Sequence, residues 1–211
     1  MYKIQTAYCA ALLLTLGMTA NAGIINGSFE TPVQATGGYT YDPTGAGIGW
    51  NFQGFAGIAA INSVLFSSAA PDGNQAAFLQ VDGTNGTPGS FSQNITGLNM
   101  GSEYVFTFFA ADMPGMGADP FTVSLNGTSL GTFVNNNTSW QEFTSAAALA
   151  TSPSATLTFA SQTSSQNNIS VIDDVMSVAD PSTAPEPATV FLFGVALASL
   201  LFWKRRRTAA L

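Results

Sequence analysis

Between residues 77 and 178 apolar and polar side chains alternate in short runs, and no stretch repeats apolar positions at the 3.6-residue spacing of a long amphipathic helix. The alternation predicts strands over 77–81, 91–95, 103–110, 121–125, 140–144, 156–160 and 169–178, separated by Gly, Asn, Asp and Pro. The strand ending at Leu125 runs into Asn126-Gly127, a pair that tolerates positive φ and so predicts a tight hairpin. Many short strands joined by turn-rich loops predict an all-β fold, a jelly-roll β-sandwich, over residues 23–180. Rigid sandwiches carry their variable chemistry on loops, which points to Thr36–Gly49 and Ala111–Pro120 as places for a site.

The two ends of the chain read differently. Lys3, the apolar stretch 10–17 and Ala20-Asn21-Ala22 have the three parts of a secretory signal peptide over residues 1–22. At the other end come a short spacer over 181–187 containing Pro185-Glu186-Pro187, an apolar run over 188–203, and the basic segment 204–211 with Lys204, Arg205, Arg206 and Arg207. As a helix the run is about 24 Å long at ~1.5 Å per residue. That is short of a ~30 Å hydrocarbon core, so a single transmembrane helix is expected to span with local thinning and snorkelling of its basic end. The positive-inside rule places the arginines in the cytoplasm and the body across the membrane, in agreement with the N-terminal signal.

Motif, short span and basic stop together resemble the PEP-CTERM sorting signal of Gram-negative bacteria. The resemblance implies an exported chain held in the inner membrane until an exosortase, a membrane transpeptidase, processes it near Pro-Glu-Pro. Delivery to the cell surface or the extracellular space would follow.

Charge narrows the partners of the body. From Gly23 to Pro187 there is no Lys, Arg or His, and all twelve acidic residues lie in that span. Nucleic-acid affinity rests on Lys and Arg displacing counterions, so nucleic acid is excluded as a partner. With no internal cation, the carboxylates must be solvated, hydrogen-bonded to backbone amides or neutralised by a metal ion. The single cysteine, Cys9, falls within the signal segment, which leaves the exported body without disulfides or a thiol nucleophile.

Asn26-Gly27-Ser28-Phe29-Glu30, Gly49-Trp50, Ser92-Gln93, Gly101-Ser102-Glu103-Tyr104, Trp140-Gln141-Glu142-Phe143 and Ile172-Asp173-Asp174-Val175 follow one another along the body. In that order they resemble the landmarks of galactose-binding-like jelly rolls, many of them carbohydrate-binding modules. The resemblance implies a structural Ca²⁺ held by a Glu on the opening strand and an Asp in the closing one, here Glu30 and Asp173. Asp174 is the alternative to Asp173, because adjacent strand residues face opposite sides and the register is not visible in the sequence. Hard oxygen ligands suit Ca²⁺.

Sugar recognition needs flat aromatic faces beside amides or carboxylates. Tyr39, Tyr41, Trp50, Phe52 and Gln53 flank a Gly-rich loop and are candidates. Trp50 and Trp140 are expected in the core, while Tyr39, Tyr41 and Gln53 are expected to face solvent. Catalysis is disfavoured, because the body lacks the side chains of ordinary nucleophile and base pairs. A glycosidase needs only two carboxylates, and Asp112 with Asp119, or Glu103 with Glu142, are the pairs to consider. The leading expectation is therefore a non-catalytic protein that binds extracellular polysaccharide. The rival is a structural biofilm-matrix or adhesion protein without a small ligand.

Overall fold

The computed structural model describes residues 23–81, 88–117, 119–162 and 168–179. The predicted signal peptide, spacer, apolar run and basic tail lie outside them. Every regular element among the described residues is a strand. In chain order these are β1 (Tyr39–Tyr41), β2 (Asn51–Gln53), β3 (Ala56–Ala60), β4 (Gln75–Val81), β5 (Ser90–Thr96), β6 (Glu103–Asp112) and β7 (Phe121–Leu125). They continue with β8 (Thr128–Phe133), β9 (Gln141–Thr144), β10 (Ala148–Leu149), β11 (Ser154–Ser161) and β12 (Asn168–Ala179).

Eight of these strands make one long antiparallel ribbon: β4 pairs with β12, β5 with β11, β6 with β9 and β7 with β8. The ribbon is rolled up so that β12 also meets β6 and β11 also meets β7. This winding is that of a jelly roll, in which two sheets share one core. One sheet has the order β1-β3-β4-β12-β6-β10, with β9 also on β6, and the other has β2-β5-β11-β7-β8. At the turn between β7 and β8, Asn126 and Gly127 have φ of 48° and 79°, the two positive values that a tight hairpin requires.

Between the sheets the inward-facing residues of each strand meet. Along β6 these are Tyr104, Phe106, Phe108 and Ala110, and along β11 Ala155, Leu157 and Phe159. Phe91 stacks on Phe159 with centroids 4.9 Å apart, and Trp50 meets Phe91 edge-on at 5.2 Å. Removing one such ring to Ala costs about 3–5 kcal/mol. A second apolar cluster lies on the outer face of the seven-stranded sheet, where Ala59, Ala76, Phe78, Ala111, Ile169 and Val171 sit beneath Leu65 and Phe66. Strand β3 is consequently buried along its whole length and has no alternation to betray it.

Two expectations are corrected. Trp50 enters the inter-sheet core as expected, but Trp140 instead packs partly exposed on the outer cluster, 5.7 Å from Phe66. The stretch 36–49 is not wholly loop, because β1 crosses it and closes the edge of the seven-stranded sheet against β3.

Candidate functional site

Glu30 is placed by a turn locked from several directions. Asn26 and Phe29 both hold positive φ, and the Phe29 N–H donates to the Asn26 carbonyl at 3.1 Å. The Asn26 amide donates to the carbonyls of Thr31 and Ile48 at 2.7 and 3.0 Å, and accepts from the Thr31 N–H. Trp50 Nε1 donates to the Asn26 carbonyl from the core side, and the buried Gln75 amide donates to the Phe29 carbonyl at 2.6 Å. Glu30 Oε1 then accepts from the N–H groups of Asn74 and Gln75, each at 2.7 Å. Gly73 must be glycine for this approach: its φ is +80°, and a Cβ there would sit 2.4 Å from Glu30 Oε1.

Asp173 takes the other side of the same loop. Its Oδ2 accepts from the Asp72 N–H at 3.0 Å, while its Oδ1 is buried with no hydrogen-bond partner. The side chain is fully buried, and burial, offset by hydrogen bonds and reinforced by Asp174 and Asp72, pushes its pKa up to about 8. The register of β12 against β6 shifts between Asp173 and Met176, and Asp174 adopts φ 51° there. This bulge breaks the strict alternation of faces, so Asp173 and Asp174 both come within electrostatic reach of Asp72. Burial first, then Asp72 and Glu142, raise the Asp174 carboxyl as well.

Loop 72–75 thus lies between Glu30 and Asp173, the two residues singled out in the sequence. Among the described residues no group of three or more His, Cys, Asp or Glu side chains is arranged to hold a metal. An ion here would have to complete its shell from backbone carbonyls and water, as Ca²⁺ commonly does. The orphaned Asp173 Oδ1 fits such an ion, since an unpaired buried carboxylate oxygen is otherwise costly.

Tyr39 and Tyr41 both project outward from β1 and remain 46% and 40% exposed. They meet edge-to-face at 5.8 Å, and both rest on the buried Phe78 ring, at 6.2 and 5.1 Å. Phe55 backs Tyr41 at 6.2 Å. The Tyr41 hydroxyl donates to the Gln80 side chain, and burial and Tyr39 raise its pKa, which keeps that proton in place. Thr40 Oγ1 donates to Gln34 Oε1 at 2.7 Å, so a second amide lies at the same edge.

The platform depends on Gly57, which lies opposite both Tyr41 and Phe78 and leaves the gap across which their rings meet. A Cβ at Gly57 would stand 2.0 Å from the Thr40 carbonyl and 2.8 Å from the Phe78 ring. Gly57→Ala is expected to cost about 1–3 kcal/mol and to displace β1. Urea unfolding measures the first effect, and faster hydrogen exchange over residues 39–41 the second.

Gln53 does not join this platform. It is exposed on β2 in the other sheet, in a cross-strand row with Ser90, Ala160, Thr122 and Thr132. Phe52 faces the core.

The two glycosidase pairs separate clearly. Glu142 lies opposite Phe109, six residues along β6 from Glu103, or about 20 Å at ~3.3 Å per residue. That exceeds the ~5–9.5 Å between glycosidase carboxylates. Asp112 and Asp119 do come within electrostatic reach of each other, but both are buried at one end of the sandwich, not exposed as carboxylates that flank a sugar ring would be. Burial lifts Asp112 to about 6 and Asp119 to about 7, the latter with a further contribution from Asp112. The sequence offered no signal for this pair beyond two acidic residues in one loop region.

Comparison with known proteins gives one sequence match, at the C-terminus. Residues 183–207 carry the PEP-CTERM protein-sorting motif. This PEP-CTERM segment includes Pro185, Glu186, Pro187, Lys204, Arg205, Arg206 and Arg207. No curated protein matches the chain. Among solved structures, a sugar-binding EclA C-terminal domain is 23% identical, with 41% of this chain covering 64% of that one at a TM-score of 0.37. The N-terminal CBM22-1–GH10 modules of Clostridium thermocellum xylanase 10B, complexed with xylohexaose, are 18% identical; 65% of this chain covers 27% of that one, TM-score 0.44. The C-terminal family 22 carbohydrate-binding module of the same xylanase is 15% identical, with 72% of this chain covering 99% of that one at a TM-score of 0.45. The chain therefore spans less than two thirds of the length of the first two.

Proposed function

We propose that this chain is an exported, surface-sorted, non-catalytic protein that binds extracellular polysaccharide through the Tyr39–Tyr41 platform, with a structural Ca²⁺ at Glu30 and Asp173. The observation that carries the reading is the pair of exposed tyrosines braced on Phe78 and Phe55 at a sheet edge, with Gln34 and Gln80 beside them. Rings fixed by packing lose little freedom on binding, and their faces suit the C–H surfaces of sugars while amides serve the hydroxyls. A neutral polymer suits the platform better than an acidic one, because the body around it carries no side-chain cation.

The Ca²⁺ would be held by Glu30 and Asp173, with Asp174 adjacent, and would tie the opening segment, loop 72–75 and β12 together. It supplies cross-linking and charge neutralisation, and no bond-making step. Sorting is assigned to the PEP-CTERM segment, which an exosortase-type enzyme would process at the inner membrane before the body reaches the surface or the medium.

A glycan array probed with the full chain in mild detergent, with and without Ca²⁺, tests the reading. Retention by one class of neutral polysaccharide is the expected result. Calcium-dependent self-association with no glycan retained would replace it with the matrix-protein alternative.

A further inference from the structure

A separate pair of carboxylates is closed inside the sandwich at the end where β6 passes to β7 and β11 to β12. Asp112 ends the inward-facing series Tyr104, Phe106, Phe108 and Ala110 on β6, and Ser161 ends that of Ala155, Leu157 and Phe159 on β11. Ser170, opposite Asp112, donates its hydroxyl to the Asp119 carbonyl at 2.8 Å, and Ser161 Oγ donates to Asp119 Oδ2 at 2.6 Å. Asp112 is 5% exposed and Asp119 fully buried, yet the Oδ1 atom of each has no hydrogen-bond partner. Among the described residues, the Ser161 and Ser170 protons at this end are both directed to Asp119 and so serve neither orphaned oxygen. Nor is there a counter-charge, because the body has no Lys, Arg or His.

We infer that Asp112 and Asp119 form a second cation site that takes one Ca²⁺ between the two sheets, distinct from the Glu30–Asp173 site. Two buried like charges repel strongly at short range, and a divalent ion cancels both at once. The donors are hard oxygens throughout: the two orphaned Oδ1 atoms, and Ser161 Oγ and Ser170 Oγ, whose lone pairs face away from the protons they donate. Because Asp112 and Ser170 belong to the seven-stranded sheet and Ser161 to the other, with Asp119 in the connection to β7, the ion would join the two sheets at this end.

Equilibrium dialysis of the full chain in mild detergent against ⁴⁵Ca²⁺, after stripping with chelator, reads the site directly. Glu30→Gln is expected to retain about one Ca²⁺ per chain, and Asp119→Asn and Asp112→Asn each to bind about one fewer than the unmodified chain. Circular dichroism identifies variants that keep the β spectrum, and the Glu30→Gln arm does not depend on either buried substitution being tolerated. No Ca²⁺ uptake by folded Glu30→Gln, or uptake unchanged in folded Asp119→Asn and Asp112→Asn, would overturn the inference. A failure of the Glu30–Asp173 site alone would leave one ion that is lost in the Asp119→Asn variant and kept in Glu30→Gln.

Discussion

Stripping Ca²⁺ with EDTA at pH 8 is expected to lower the melting temperature of the protein by about 5–10 °C. A ligand at about a hundred times its Kd stabilises the folded state by about 2.7 kcal/mol per site, so one occupied site already gives this shift. For a domain of this size each kcal/mol moves the midpoint by about 2–4 °C. The effect should depend on pH in a particular sense. Asp112, Asp119 and Asp173 have folded pKa values raised to about 6, 7 and 8 from an ordinary value of 3.8. Between pH 4 and 8 the metal-free folded state therefore holds more protons than the unfolded chain, so its stability falls as pH rises through that window. EDTA-treated protein should melt higher at pH 5 than at pH 8, the reverse of ordinary acid denaturation. Added Ca²⁺ should raise the midpoint far more at pH 8, where the carboxylates are free to ionise around it. Glu30→Gln keeps an acceptor for the Asn74 and Gln75 N–H groups but loses the charge, so it should lower the Ca²⁺-dependent gain without matching it in EDTA. A midpoint indifferent to EDTA at both pH values would remove the cation from the account.

Deleting residues 185–211 is expected to shift nearly all of the protein from the membrane and cell-surface fraction to the soluble exported fraction. The deletion takes away most of the sorting motif, the apolar run 188–203 and the cluster from Lys204 to Arg207. What remains of the body has only acidic formal side-chain charges and nothing to bind an anionic leaflet. Replacing Lys204 and the three arginines by Gln should leave export intact but weaken retention, because the basic stop sets orientation. Fractionation and immunoblotting follow both variants. Continued cell association of the truncated chain would show that the body itself carries the surface attachment.

The parts of the fold most legible in the sequence were those with one wet face and one dry face. Strands β5, β6, β7 and β11 and the C-terminal half of β12 alternate because each lines the inter-sheet core from one side, whereas β4 and the first half of β12, buried on both faces, were legible only as short apolar runs. Strand β3 was missed because the outer cluster buries its second face, and β1 because Tyr39-Thr40-Tyr41 is an exposed edge whose place depends on Gly57 and Phe78, remote in sequence. Strand β8 lacks a clean pattern, since a register shift against β7 interrupts it near Gly131.

The candidate site follows the same logic. Glu30 and Asp173 were recognised from local landmarks, and the structure adds loop 72–75 as the element between them. Whether Asp173 or Asp174 faced that loop was undecidable from alternation, because the bulge that lets both approach Asp72 has no sequence signature stronger than the Asp-Asp pair itself. Asp112 and Asp119 were named in the sequence only as a possible glycosidase pair; their closure inside the sandwich required knowing that β6 and β7 sit in different sheets and meet at Ser161 and Ser170.

The tyrosine platform is tested most directly by affinity electrophoresis of the full chain in gels containing the retained polysaccharide, comparing it with Tyr39→Ala/Tyr41→Ala. Both rings are substantially exposed, so the double variant should keep its melting temperature within a few degrees. Binding should weaken about 30-fold or more, the consequence of removing aromatic anchors worth at least ~2 kcal/mol. Equal retardation of the two folded proteins would place polysaccharide recognition elsewhere and contradict the account.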